Sequence, residues 1–239
     1  MTTFLSHAQA NILILYTALF IAYCVVVTVS HFFKAWVALK LGDSTPAELG
    51  FLSWNPIDHV DFIGMVCLLT FGLGWGRSVP INPLNIHGRY RTAKIIFAHL
   101  SDTIAYIGIG IVAMLVLVFL FDSNTIITSS NLAFNGMLSY QRLHSLYPQY
   151  SSVHIAVGFV AICVMYLSVM LGALQFIING FYLFMQHYMA RYASIETGGV
   201  LFWIVPLFAM MILTGPLRLF IMYTILFMSM LITHIIGLF

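Results

Sequence analysis

Charged residues are scarce in this sequence. Aspartate, glutamate, lysine and arginine make up 7% of its 239 residues, whereas hydrophobic residues make up 62%. Soluble globular domains contain about 25% charged residues, because a surface that faces water needs them. The scarcity therefore excludes a water-soluble domain of any size and predicts an integral, multi-pass membrane protein surrounded by lipid.

Basic residues and cysteines are scarce as well. The chain has nine lysine and arginine residues and a formal net charge of +2, and the basic residues are scattered along it. A nucleic-acid surface needs a concentrated basic patch, so binding to DNA or RNA is excluded. The three cysteines, Cys24, Cys67 and Cys163, lie in separate apolar runs without paired spacing, which predicts small buried hydrophobic side chains.

Long apolar runs make up most of the sequence, and they predict an all-α chain with about six transmembrane helices. The predicted helices cover about 11–41, 61–75, 94–121, 153–185, 200–213 and 217–238, and an interfacial helix is expected within 131–146. The first run lacks the basic region and cleavage site of a secretory signal, so we interpret it as a retained span. Residues 1–239 are expected to form a single integral membrane domain, with a core at about 11–185 and a C-terminal helical hairpin at about 197–239.

The polar end of the first predicted helix carries an incomplete catalytic pattern. A buried zinc hydrolase site usually takes two histidines four residues apart on one helix face, with a glutamate after the first as general base. The corresponding positions here hold Ser30, His31 and Lys34. A shift of register does not complete the pattern, because Val27 and Ala35 lie four residues before and after His31. The pattern therefore indicates a metal-binding helix that lacks its metal ligands.

Two Asn-Pro pairs, Asn55-Pro56 and Asn82-Pro83, lie between the predicted helices. The residue before a proline is restricted to extended or turn backbone. Non-helical backbone at membrane depth persists only where it is buried in protein or lines a wet cavity. The pairs therefore predict irregular segments near the membrane, which either border a polar cavity or serve as ordinary turns.

Four further phrases follow one another between about residues 30 and 105. They run from Ala35 to Thr45, from Trp54 to Gly64, from Phe71 to Pro83 and from Ala98 to Asp102. They contain a Leu-Gly-Asp stop, a His-x-Asp-x-x-Gly phrase, a Val-Pro-x-Asn-Pro phrase and a small-residue Ser-Asp element. Together they resemble the site-2 protease family of intramembrane zinc metalloproteases, in its compact bacterial-type branch. Their joint spacing is more specific than any one phrase.

The resemblance assigns roles to four positions of this chain. The two histidines, the glutamate and a later aspartate of the family align with Ser30, Lys34, His31 and Asn179 respectively. The resemblance implies zinc as the cofactor, but the ligands are absent here. We therefore expect no cofactor at this site and no proteolytic activity.

Lys34 brings a positive charge to the place of a cation. Intramembrane charges are rarely left unpaired, so we expect Lys34 to pair with Asp102 or Asp61. The polar and proline residues of the resembling segments are the binding candidates. They are Asn55, Pro56, Asp61, Asn82, Pro83, His99 and Asp102.

These observations predict a proteolytically inactive site-2-protease-like protein that serves as a binding or scaffolding subunit of a membrane complex. Its expected partners are membrane lipids and a transmembrane segment of another protein. Two alternatives remain open. The first is an active intramembrane zinc metalloprotease with unusual ligands. The second is a haem or metal-binding electron-transfer subunit that uses His99 and His154. Otherwise these histidines, like His31, hydrogen-bond to a neighbouring helix or lie at the interface.

Overall fold

The computed structural model describes residues 2–71, 74–134 and 137–189, and the regular elements in these ranges are helices without a strand. The helices are α1 (Thr2–Lys40), α2 (Thr45–Glu48), α3 (Phe62–Phe71), α4 (Arg91–Leu120), α5 (Ser123–Phe134), α6 (Tyr140–Leu146) and α7 (Ser152–Met189). A single 3₁₀ turn, Pro56–Asp58, precedes α3. The all-α class predicted from the apolar runs is confirmed.

Three of the described helices are long and apolar enough to cross a membrane: α1 from Gln9 to Lys40, α4, and α7 from Ser152 to Met185. They support a membrane protein. The span expected at 61–75 differs, because α3 has ten residues and its length of about 15 Å is half of a hydrocarbon core of about 30 Å. The interfacial helix expected within 131–146 is instead the end of α5 followed by α6. The runs at 200–213 and 217–238, and with them the hairpin at 197–239, lie outside the described residues.

The three spanning helices pack against one another as a bundle, in which α4 runs opposite to α1 and α7. Asp102 near the start of α4 meets Lys34 near the end of α1 and Asn179 near the end of α7. At the other end of the bundle, Phe121 after α4 contacts the ring of Tyr150 before α7. The core of the bundle includes Tyr23, Val26, Tyr106, Leu117, Phe159 and Met165.

The chain turns at the end of α1 around one buried carboxylate. Asp43 accepts hydrogen bonds from the backbone N–H of Asn82 at 2.7 Å, from the side-chain amide of Asn85 at 3.0 Å and from the backbone N–H of Thr45 at 3.1 Å. Burial raises the pKa of Asp43, but these hydrogen bonds outweigh burial and leave the pKa below its usual value. The ionised carboxylate therefore fastens the loop before α4 to the end of α1.

The segment around α3 docks on the middle of α1. The Tyr23 hydroxyl donates to the Trp75 carbonyl at 2.7 Å, and Tyr23 lies about 25 Å along the helix from its end at Lys40. Val60 and Gly76 form an isolated antiparallel bridge next to this contact. Irregular backbone therefore lies beside a membrane-spanning helix, as expected. It includes the bridge between Val60 and Gly76 and the 3₁₀ turn that begins at Pro56, which also contacts α1.

Candidate functional site

Lys34 and Asp102 form a buried ion pair between α1 and α4. The Lys34 Nζ lies 2.7 Å from Asp102 Oδ2, and the two side chains are only 4% and 1% exposed. A charge this deep in a membrane protein persists when an opposite charge compensates it. Of the two acids expected as partners, Asp102 is the one that pairs. Asp61 instead accepts a hydrogen bond from the backbone N–H of Gly64 at 2.7 Å, at the start of α3.

Asn179 of α7 extends the ion pair into a network of three helices. Its Nδ2 donates to Asp102 Oδ1 at 2.9 Å, and its Oδ1 accepts from Lys34 Nζ at 3.4 Å. The backbone N–H of Thr103 also donates to Asp102 Oδ1, at 2.8 Å. Both oxygens of the carboxylate are thus engaged, and each spanning helix contributes one side chain. The network joins the helices without leaving a buried charge unpaired.

The four positions aligned with the catalytic pattern separate into two groups. Lys34 and Asn179 come together in the network, although they lie far apart in the sequence. Ser30 does not join them, because its Oγ donates to a carbonyl of its own helix at 2.8 Å. His31 also points elsewhere, with its Nε2 3.4 Å from the Tyr106 hydroxyl oxygen.

A second polar cluster therefore lies beside the network. The rings of His31 and His59 have centroids 5.9 Å apart. His59 Nε2 donates to the Ser53 carbonyl at 2.7 Å. Sequence reasoning did not single out His59 or Tyr106 as site residues. The His-x-Asp-x-x-Gly phrase marks His59, whereas a tyrosine within an apolar run carries no such signal.

The two Asn-Pro pairs form turns. The side chain of Asn55 accepts from the backbone N–H of Ile57 at 3.3 Å and so caps the 3₁₀ turn. In the same way, Asn82 accepts from the backbone N–H of Leu84 at 3.1 Å. Asn55 and Pro56 are exposed. Neither pair contributes to the Lys34 network, so ordinary turn chemistry describes both.

His99 and His154 lie at opposite ends of the bundle. His99 Nδ1 donates to the Ile95 carbonyl at 2.9 Å, and its ring stacks on that of Tyr182 with centroids 5.0 Å apart. His154 is exposed at the start of α7, with its Nδ1 2.7 Å from Ser151 Oγ. The fold does not bring these two histidines together for a shared haem or metal.

The cofactor expectation needs a correction. Zinc, which the family resemblance supplied, is wrong for the described part of the chain, because no group of three or more histidine, cysteine, aspartate or glutamate side chains there could hold a metal ion. The donor set explains the misfit. Zinc takes imidazole, thiolate or carboxylate donors, whereas Lys34 is cationic and Asn179 is a neutral amide. An ammonium already paired with Asp102 repels a second cation.

Comparison with known proteins gives a partial relationship. The chain is 42% identical over 55 residues to a Bacillus subtilis (strain 168) protein named "Putative zinc metalloprotease YwhC". The match covers 23% of this chain and only 25% of the length of that relative. No family model and no solved structure matches the chain. The shared segment indicates a site-2-protease-like relationship for part of the chain.

Proposed function

We propose that this chain is a proteolytically inactive, site-2-protease-like membrane protein that acts as a binding or scaffolding subunit of a membrane complex. The observation that carries the proposal is the network of Lys34, Asp102 and Asn179. Metal-assisted hydrolysis needs an electrophilic cation and a base that together activate water. An ion pair supplies neither, because the ammonium and the carboxylate are each engaged by the other.

The same network favours a scaffolding role. It ties one side chain from each spanning helix to the other two, which fixes how α1, α4 and α7 are arranged. A binding subunit needs such a fixed surface, because a preorganised site loses less freedom when its partner arrives. The ion pair thus has a structural role: it holds the three helices in place and does not take part in catalysis.

An open groove between the spanning helices is the surface that we assign to the partner. Its volume is about 890 Å³, and the described residues that line it are apolar and mostly small. Among them are Val29 of α1, Gly108, Val112 and Ala113 of α4, and Ala156 and Val160 of α7. Small residues let a neighbouring helix approach closely in lipid, and the lack of polar lining rejects a polar occupant. We assign the groove to a partner's transmembrane helix that presents bulky apolar side chains.

A leucine placed in the groove tests this assignment. A Cβ at Gly108 meets no atom of the described residues within 4 Å, so the side chain of Gly108→Leu can extend into the groove. A Cβ at Gly180, which does not line the groove, likewise meets no atom within 4 Å in the part of the chain that the structure describes, so Gly180→Leu is a matched control. Both variants are purified from native membranes in mild detergent, and associated proteins are quantified by mass spectrometry. We expect Gly108→Leu to lose a partner that wild type and Gly180→Leu retain.

Crosslinking then identifies the occupant of the groove. A Val112→Cys variant, treated with a thiol crosslinker in intact membranes, should join the chain to a transmembrane segment of that same partner. A crosslink to a second copy of the chain, or to its own apolar runs beyond residue 199, contradicts the assignment. A chain that purifies alone and monodisperse in wild-type form contradicts the scaffolding function itself.

Proteolysis by unusual ligands is the competing function, and the name of the Bacillus subtilis relative is the observation that favours it. Its test is cleavage of a set of single-span substrates by the purified chain, together with measurement of bound zinc. Stoichiometric zinc that is lost in His31→Ala, or cleavage that depends on His31, overturns the inactive assignment.

A further inference from the structure

His31 and His59 each carry one buried ring nitrogen without a hydrogen-bond partner among the described residues. The atoms are His31 Nδ1 and His59 Nδ1. The two residues are 4% and 0% exposed, and their ring centroids lie 5.9 Å apart. Buried polar side-chain atoms in folded proteins are nearly always paired, with protein or with ordered water. Two unpaired nitrogens on neighbouring rings therefore indicate a shared ligand.

The hydrogen-bond partner of its other ring nitrogen assigns the proton of His59, and the Tyr106 hydroxyl can serve either tautomer of His31. The Ser53 carbonyl can only accept, so His59 carries its proton on Nε2 and leaves Nδ1 as an acceptor. The Tyr106 hydroxyl faces His31 Nε2 at 3.4 Å. When this hydroxyl donates, the His31 proton lies on Nδ1. One ring then offers a donor and the other an acceptor.

The backbone of Gly76 closes one side of this pair. A Cβ at this position would overlap the His31 ring and lie 3.1 Å from the His59 carbonyl oxygen. The next residue, Arg77, donates its backbone N–H to the His59 carbonyl at 2.8 Å. The pair thus lies between α1 and the irregular segment that docks on it.

We propose that His31 and His59 form a buried binding site for one water molecule. Its oxygen accepts from His31 Nδ1–H and donates to His59 Nδ1. Two hydrogen bonds through one oxygen join nitrogens up to about 5.8 Å apart, and ring centroids 5.9 Å apart place the two rings within reach of one such molecule. The bound molecule satisfies both nitrogens at a depth where unpaired polar groups are costly. It fastens the irregular segment around His59 and Gly76 to α1, independently of any partner or proteolytic activity.

Histidine side-chain NMR on the full chain tests the site. The chain is labelled with ¹⁵N-histidine and held in lipid nanodiscs, and signals are assigned with His31→Asn and His59→Asn, or with the corresponding phenylalanine variants if these fold better. We expect opposite tautomers, with the proton on Nδ1 of His31 and on Nε2 of His59. We also expect a magnetisation-transfer peak between water and the His31 Nδ1 proton. His99, whose Nδ1 donates to the Ile95 carbonyl, is the internal control without such a peak.

Two results overturn the proposal. They are a scalar coupling that joins the two Nδ1 atoms directly, and the same tautomer in both rings. A second readout does not depend on the tautomers. Loss of the bridging molecule in His59→Phe should speed exchange of the Arg77 amide proton by about tenfold or more, whereas unchanged exchange in a folded variant contradicts the fastening role.

Discussion

Lys34 Nζ and Asp102 Oδ2 lie 2.7 Å apart, at a point about 9 Å along α1 from its end at Lys40. Both side chains are almost fully buried, so water does not screen the pair. The ion pair adds little to the free energy of unfolding compared with a pair of apolar residues, because desolvation offsets much of the attraction between the charges. Removal of one partner is strongly destabilising, because the other charge then stays buried and uncompensated.

Lys34→Met should therefore destabilise the protein strongly, by about 3–5 kcal/mol. The double variant Lys34→Met with Asp102→Leu should recover much of that loss, because it removes both charges. Chemical or thermal unfolding in detergent measures the free energies of unfolding of four proteins: wild type, Lys34→Met, Asp102→Leu and the double variant. A single variant as stable as wild type contradicts the compensated pair, and so does a double variant that is as unstable as the sum of the singles.

Asn179→Leu should destabilise the bundle less, by about 1–3 kcal/mol. The substitution removes the amide that donates to Asp102 Oδ1, yet the backbone N–H of Thr103 and the ammonium of Lys34 remain bound to the carboxylate. The unfolding measurement used for Lys34→Met gives the comparison. The decisive result is the order of the two variants, and a larger loss for Asn179→Leu contradicts the assignment of Lys34 as the main partner of Asp102.

The sequence was informative where the side chain itself constrains its surroundings. A lysine within an apolar run must find an acid, so its pairing could be predicted, but hydropathy does not tell which acid faces it. From the sequence, Asp61 was an equally suitable acid to pair with Lys34. Its spacing to Gly64 instead suits the start of α3, where it accepts a backbone hydrogen bond.

Other features depend on how distant segments meet, which single-sequence patterns do not encode. The run at 61–75 has the composition of a span, yet α3 stops after ten residues and the chain returns to pair with Val60 through Gly76. Tyr23 fixes this return through the Trp75 carbonyl. In the sequence it resembles the tyrosines that face lipid. The Asn-Pro pairs were correctly seen as irregular, but their turns lie away from the polar network.

Gly64→Ala should disrupt the docking of α3. A Cβ at Gly64 would lie 2.9 Å from the Trp75 carbonyl carbon and closer still to its oxygen, and a backbone carbonyl cannot move aside cheaply. We expect a loss of about 1–3 kcal/mol in the free energy of unfolding, measured by chemical unfolding in detergent. Gly108→Ala is the control, because a Cβ there has no neighbour within 4 Å among the residues that the structure describes. Equal stability of the two variants contradicts the close packing of Gly64 on Trp75.

Acid should loosen the turn after α1 through Asp43. Its pKa in the folded state lies below the usual value, because hydrogen bonds from Thr45, Asn82 and Asn85 outweigh burial. The stabilisation is therefore present above the unfolded value of about 3.9 and is lost as the pH falls through the lower folded value. Melting temperatures measured between about pH 6 and pH 3 should fall more steeply for wild type than for Asp43→Asn. Parallel curves contradict a stabilising role for the ionised carboxylate.

Introduction of ligand side chains tests whether Lys34 and Asn179 occupy metal-competent positions. Ser30 and Lys34 are four residues apart on one helix face, and Asn179 Oδ1 lies 3.4 Å from Lys34 Nζ across the bundle. The variant combines Ser30→His, His31→Glu, Lys34→His, Asn179→Asp and Asp102→Asn, the last of which removes the carboxylate that Lys34 otherwise neutralises.

This variant should bind about one zinc ion per chain through three protein ligands. The matched control replaces Asn179→Asp with Asn179→Leu and leaves two ligands, so it should retain much less metal after dialysis against a chelator. Elemental analysis of folded, monodisperse protein gives the stoichiometry. Equal metal content in both variants means that position 179 does not reach the pair on α1 as a ligand. The ion pair would then stabilise the helices without standing at a former metal position.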